Sequence, residues 1–142
     1  GEALGPISRI ASGGELSRIM LALKNVFAEK DGVDALIFDE IDTGVSGVAA
    51  QRVAEKLASL GRKKQTLCVT HLPQIAAMAQ QQYLVKKAEH GGRTYTNIRL
   101  LDREGRRYEL ARLSGGDMIT DIQLAGAEEL LARDERFRAS LS

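Results

Sequence analysis

Near the start of the chain, apolar positions recur with a helical period: Leu16, Ile19, Met20, Leu23, Val26 and Phe27 share one face, and Leu21 and Ala22 widen it. The spacing predicts a well-buried helix from about Gly14 to Lys30, entered through Ser12-Gly13-Gly14 and stopped at Asp31-Gly32. The period then changes. Ala35-Leu36-Ile37-Phe38 is a short continuous apolar run ending in Asp39-Glu40, the pattern of a parallel strand covered on both faces. Ala49, Val53, Leu57 and Leu60 form a second helical stripe closed by Gly61, and Thr66 to Thr70 form a second apolar strand. Pro73 suits the first turn of a short helix reaching about Ala79. Tyr83 to Lys87 and Thr94 to Leu100 flank His90-Gly91-Gly92, a turn composition that predicts a hairpin ending the sheet. A last helix is expected over Ile119 to Arg133, capped by Asp117 or Thr120, with Leu124, Ala127, Leu130 and Leu131 inward.

Alternating strands and helices argue for an α/β fold, and ligands of such sheets bind beyond the carboxyl ends of the strands. Asp39, Glu40 and His71 all fall there. Two adjacent carboxylates at the end of an apolar strand need cations, donors or solvent: Asp39 is then a hard oxygen ligand for Mg²⁺, and Glu40 can polarise a water for attack on a phosphoryl group. Solvated strand-end acids are the plain alternative. His71 can hydrogen-bond a phosphate oxygen, or be a satisfied structural histidine. Ser12-Gly13-Gly14 can present backbone N–H groups and a hydroxyl to phosphate at a helix N-terminus, or be an N-cap with a flexible entry. His90 reads as exposed in a turn.

In their order, Ser12-Gly13-Gly14-Glu15, Leu36 to Asp39-Glu40, Asp42 with the residues after it, and His71 resemble the signature motif, Walker B strand, D-loop and switch histidine of an ABC-type ATPase head. The longer runs Ile10 to Arg18, Phe38 to Gly47, Thr70 to Ala76 and Glu109 to Asp117 are similar to the SMC-related RecN-type DNA-repair ATPases. Transporter ATPases continue differently after Walker B. Ala11 stands where the signature has a leading leucine. Leu113-Ser114-Gly115-Gly116-Asp117 repeats the signature pattern, but no strand ending in Asp-Glu follows it, so it is given no phosphate role. No G-x-x-x-x-G-K-[ST] occurs, and Gly61 to Thr66 lacks its second glycine and its Gly-Lys ending. The resemblance therefore implies one domain, 1–142, the C-terminal lobe of an ABC-type head: a mainly parallel sheet flanked by helices with a terminal hairpin. Its partners would be its own N-terminal P-loop lobe, a second head as homodimer, and DNA through the full-length protein. It further implies an ATPase using ATP and Mg²⁺. Ser12 and Gly14, with Gly13 between them in the nucleotide-binding motif, would touch the γ-phosphate held by the other head, Asp39 would hold Mg²⁺ through water, Glu40 would position the attacking water, His71 would contact the γ-phosphate, and Asp42 would couple the two sites across the interface.

Composition changes this picture little. The 142 residues carry twenty Lys and Arg against nineteen Asp and Glu, so no large single-sign field advertises a polyanionic partner. Lys63, Lys64, Arg103, Arg106 and Arg107 are the candidate phosphate contacts of a rival reading, a non-catalytic dimerisation or DNA-contact lobe. The single cysteine, Cys68, reads as a buried thiol in a reducing, cytoplasmic setting. No apolar run approaches the roughly 18 residues of a membrane span, and no targeting signal is visible. The lack of an initiator Met suggests a processed chain or a piece of a longer one.

Overall fold

Ser12 opens the first helix, α1 (Gly13–Phe27), with a capping box: its hydroxyl accepts from the Glu15 amide (3.3 Å), and the Glu15 carboxylate accepts from the Ser12 amide (2.7 Å). Two donors that a helix start leaves free are thereby used. The computed structural model describes residues 12–30, 32–90 and 92–141, and of His90 the backbone alone. The expected stop at Asp31 lies outside the described residues; the helix ends earlier, at Phe27. After α1 come β1 (Ala35–Phe38), α2 (Gly47–Gly61), β2 (Gln65–Cys68), α3 (Pro73–Met78), β3 (Tyr83–His90), β4 (Arg93–Leu100), α4 (Arg103–Gly115) and α5 (Asp121–Ser140).

β1 and β2 pair in parallel, Ala35 with Gln65 through Phe38 with Cys68, with α2 as the connection. β3 and β4 pair antiparallel, from Tyr83 with Leu100 to His90 with Arg93. The hairpin was expected to end one sheet; among the described residues it is a separate two-stranded sheet. His90 belongs to the ladder and not to the turn, where Gly92 takes φ +71°.

Two cores meet at α3. Leu21, Phe38, Ile41, Ala54, Leu57, Leu60, Ile75 and Met78 close the first, between α1, the parallel strands and α2. Ala76 and Ala77, on the other side of α3, pack with Leu110, Ala111, Ala127 and Leu131 of α4 and α5. The expected burial of α1 and β1 is corrected. On α1 only Gly14 and Leu21 are buried. Val26 is 75% exposed, and Ile37 of β1 also 75%. Leu67 and Val69 lie open as well. One face of the parallel pair packs on the chain's own helices, and nothing among the described residues covers the other. Among the described residues no helix is long and apolar enough to cross a membrane.

The sequence pattern missed α4 and stopped α5 seven residues early. α4 is capped by Asp102, whose carboxylate accepts from the Gly105 amide (2.8 Å). The second Ser-Gly-Gly sits at the far end of α4, where Gly116, at φ +82°, is its C-cap and donates to the Arg112 carbonyl (2.8 Å). That is a helix C-terminus, the wrong pole for phosphate. α5 starts at a capping box between Thr120 and Gln123, so Thr120 is the cap and Asp117 is not.

Candidate functional site

The N-terminus of α1, the end of β1 and the loop after β2 lie along one edge of the parallel pair. Three sets of bonds hold them there. Ser17 Oγ donates to the Asp39 carbonyl (2.8 Å), and Arg18 donates to the carbonyls of Ile41 (3.1 Å) and Thr43 (2.8 Å). These fasten the first turns of α1 to the loop after β1. Thr43 N–H and Val45 N–H close that loop on the Glu40 and Asp42 carbonyls, at 3.0 and 3.2 Å. Asp42 forms the third set. Its Oδ2 accepts from the Thr70 hydroxyl (2.6 Å) and the His71 amide (3.0 Å) and lies 3.0 Å from His71 Nδ1, and the Thr70 oxygen then accepts from the Leu72 amide (3.0 Å).

Glycine is required by contact at the helix start. The requirement falls on Gly14, where a Cβ would stand 2.9 Å from both the Glu40 carbonyl and the Thr43 side chain; one on Gly13 would meet only the end of the exposed Glu40 side chain, which can swing aside. Glu40 itself has φ +58°, the left-handed region that side chains seldom occupy. This turns the chain sharply after Asp39, whose Oδ1 accepts from the Glu40 amide (2.9 Å). Both carboxylates are exposed.

Asp42, expected to couple two sites across a head interface, is 5% exposed, and its carboxylate is engaged inside its own chain. Burial pushes its pKa up, but the Thr70 hydroxyl, the His71 amide and the imidazole outweigh burial and hold it below the usual carboxylate range. With Nδ1 beside Asp42, the His71 side chain is 75% exposed, and its Nε2 has no partner among the described residues. Burial, followed by the charges of Asp42 and Asp39, pushes the Cys68 thiol up to about 12, in keeping with an inert packing residue.

Ser12 realises the N-cap alternative: its oxygen accepts from Glu15, which leaves its O–H as a donor. Among the described residues no three acidic, histidine or cysteine side chains gather as a metal cage. One exposed carboxylate at a strand end, Asp39, suits Mg²⁺, which takes one or two protein carboxylates and completes its shell with water and phosphate.

The cations of the rival reading are mostly spent. Lys63 pairs with Glu29 (2.7 Å), Lys64 donates to the Val33 carbonyl, Arg103 pairs with Glu128 and Glu135 (2.6 and 2.5 Å), and Arg107 with Glu104 (2.6 Å). Arg106 is buried, donating to the carbonyls of Ala77 (3.1 Å) and Ala79 (2.8 Å). Sequence reasoning missed Ser17 and Arg18, although both lie inside the signature-like run.

No family model matches the chain. It is 43% identical over 140 residues to the DNA repair protein RecN of Bacillus subtilis, 50% over 131 residues to that of Vibrio cholerae, and 48% over 131 residues to that of Halalkalibacterium halodurans. These alignments take in 99%, 92% and 92% of the chain. The chain spans about a quarter of the length of these relatives, 24%, 24% and 23%. A solved structure from work on ATP-driven dimerization and DNA-stimulated activation of SMC ATPases superposes with a TM-score of 0.54 at 20% identity, over 82% of this chain and 70% of that one. At that identity the likeness is one of fold.

Proposed function

The chain belongs to the RecN family over the stretch it shares with those proteins, and from that premise we propose that it is the C-terminal lobe of an SMC-like ATPase head acting in DNA double-strand-break repair and recombination. The supporting observation is the single edge on which Ser17, Arg18 and Asp42 assemble the glycine-led helix, the Asp39-Glu40 pair and His71.

In this reading Asp39 would hold Mg²⁺, Glu40 would orient and deprotonate the attacking water, and His71 would donate from Nε2 to the γ-phosphate. Bound ATP and Mg²⁺ supply the phosphoryl group transferred to water and the charge that neutralises it. Ser12 and Gly13 would present a hydroxyl and the positive pole of α1 outward, toward the nucleotide of a second head, with Gly14 seating that helix start on the loop after β1. Asp42 acts within its own head, tying the loop after β1 to His71 so that the two move together. The open faces of α1 and β1 suit an N-terminal lobe that brings the phosphate cradle.

The test is Glu40→Gln in the full-length protein. ATP binding persists, and steady-state hydrolysis falls by about 10²-fold or more, the usual worth of a general base. Turnover equal to the parent protein under saturating ATP reduces Glu40 to a structural acid and removes the mechanism.

A further inference from the structure

The β3–β4 hairpin has two unlike faces. Directly paired residues of an antiparallel ladder share a face, and successive residues alternate. Tyr83 with Leu100 and Val85 with Ile98 make the base of one face apolar, and Lys87 opposite Thr96 and Glu89 opposite Thr94 continue that face toward the tip. The other carries Lys86 opposite Asn97, Ala88 opposite Tyr95, Leu84 opposite Arg99, and Arg93 at the tip. Its charge has one sign. Lys86, Arg93 and Arg99 are exposed, and none of their side chains makes an ion pair or hydrogen bond among the described residues. The base of this face and α4 border an open groove of about 370 Å³. The acids on its far wall are engaged: Asp102 caps α4, Glu104 pairs with Arg107 and Glu109 with Arg112.

We propose that this face docks the sugar-phosphate backbone of duplex DNA, with Lys86, Arg93 and Arg99 on phosphates and Tyr95 and Asn97 along the sugars between them. Arg93 and Arg99 lie about 20 Å apart along an extended strand, a length equal to about six base-pair rises of the duplex axis. An acidic protein fits less well. Protein interfaces anchor on buried aromatic and aliphatic groups, and here the apolar pairs Tyr83–Leu100 and Val85–Ile98 lie on the opposite face, with only Leu84, Ala88 and Tyr95 set among the cations, whereas backbone contacts to nucleic acid need cations, amides and hydroxyls. The choice of DNA among polyanions rests on the repair reading above; the charge pattern stands without it.

The experiment measures binding of a short labelled duplex to the full-length protein without nucleotide, by fluorescence anisotropy between about 50 and 200 mM salt. The triple variant Lys86→Gln, Arg93→Gln, Arg99→Gln loses at least about tenfold in affinity, and its log–log salt slope falls by about 2 to 3. A control set with the same charge change, Lys56→Gln, Arg62→Gln, Arg136→Gln, keeps the parent affinity. Should the triple variant melt early, Arg93→Gln at the tip alone lowers the slope by about 1. Equal loss in the control set, or an unchanged slope in the hairpin variants, overturns the assignment. So does a poly-glutamate peptide that competes as well as the duplex, which makes the face an acidic-protein site. Hydrolysis without DNA keeps its parent rate in the hairpin variants. If Glu40→Gln leaves hydrolysis intact while the hairpin variants lose DNA, the ATPase reading fails and this face stands; the opposite pair of results removes the face alone.

Discussion

Asp42 makes its three contacts from one buried oxygen, and all three go to consecutive residues of a loop distant in sequence, Thr70 and His71. Charge-assisted bonds of this kind are about twice as strong as neutral ones. Asp42→Asn keeps the shape and removes the charge, so it should lower the stability of the fold by about 1 to 2 kcal/mol at neutral pH. The folded carboxyl titrates below its unfolded value, which is about 3.9. Its contribution is therefore complete above that value and disappears as pH falls through the lower, folded one. Urea unfolding of the parent and the Asn variant at neutral pH and near pH 3 checks this. The gap should narrow in acid; a gap independent of pH would assign the loss to packing.

At the scale of elements, α3 explains both failures of the sequence pattern. This six-residue helix follows His71 directly, and its C-terminal carbonyls are buried against α4 and α5. Arg106 of α4 donates to Ala77 and Ala79, and Arg138 of α5 donates to Ala77 and Met78, each at 3.1 Å. Cations suit that pole of a helix, and the bonds satisfy acceptors that water cannot reach. Asp134, fully buried one turn before Arg138, bonds Arg133 (3.0 Å) and has its pKa raised by burial. Charged residues thus hold inward positions on both helices, where a hydrophobic period demands apolar ones. That is why α4 went unread and α5 was cut at Arg133. Arg106→Leu leaves several carbonyls without donors and should cost about 3 kcal/mol. Arg103→Leu, which breaks two exposed pairs, should barely move the urea midpoint. Equal midpoint shifts in the two variants would mean that the carbonyl bonds contribute little.

For the whole molecule, the apolar surface left open on α1, β1, β2 and one face of the hairpin is large for a free domain. Ile19, Met20, Leu23, Phe27, Ile37 and Val69 are each more than two-fifths exposed. Exposed apolar patches of this kind mark an interface. The chain produced alone should bind the dye ANS and turn over no ATP, since carboxylates without a phosphate cradle cannot hold the nucleotide against its charge. Adding the N-terminal lobe should quench the dye and restore hydrolysis. Steady hydrolysis by the isolated chain, freed of contaminating ATPase, would refute the division into two lobes.

Local pattern alone carried much of this. A helix opening after Ser12, the apolar strands, Pro73 at a helix start and the hairpin all depend on neighbours within a few residues, and periodicity, caps and turn residues record those neighbours; the order of glycines, paired acids and histidine is read directly along the chain. What needed the tertiary structure involves partners far apart in the chain. Ser17 and Arg18 reach 22 to 25 residues to the loop after β1, Asp42 reaches 28 residues to Thr70, and Arg138 reaches 61 to Ala77. A charged residue reads as solvent-facing until its acceptor is located, because its burial is stable only against a specific carbonyl or carboxylate. An apolar residue likewise reads as core until the surface that covers it is found. For these reasons local pattern could name Asp42 but not turn it inward, and could mark α1 as apolar but not tell that its face stays open.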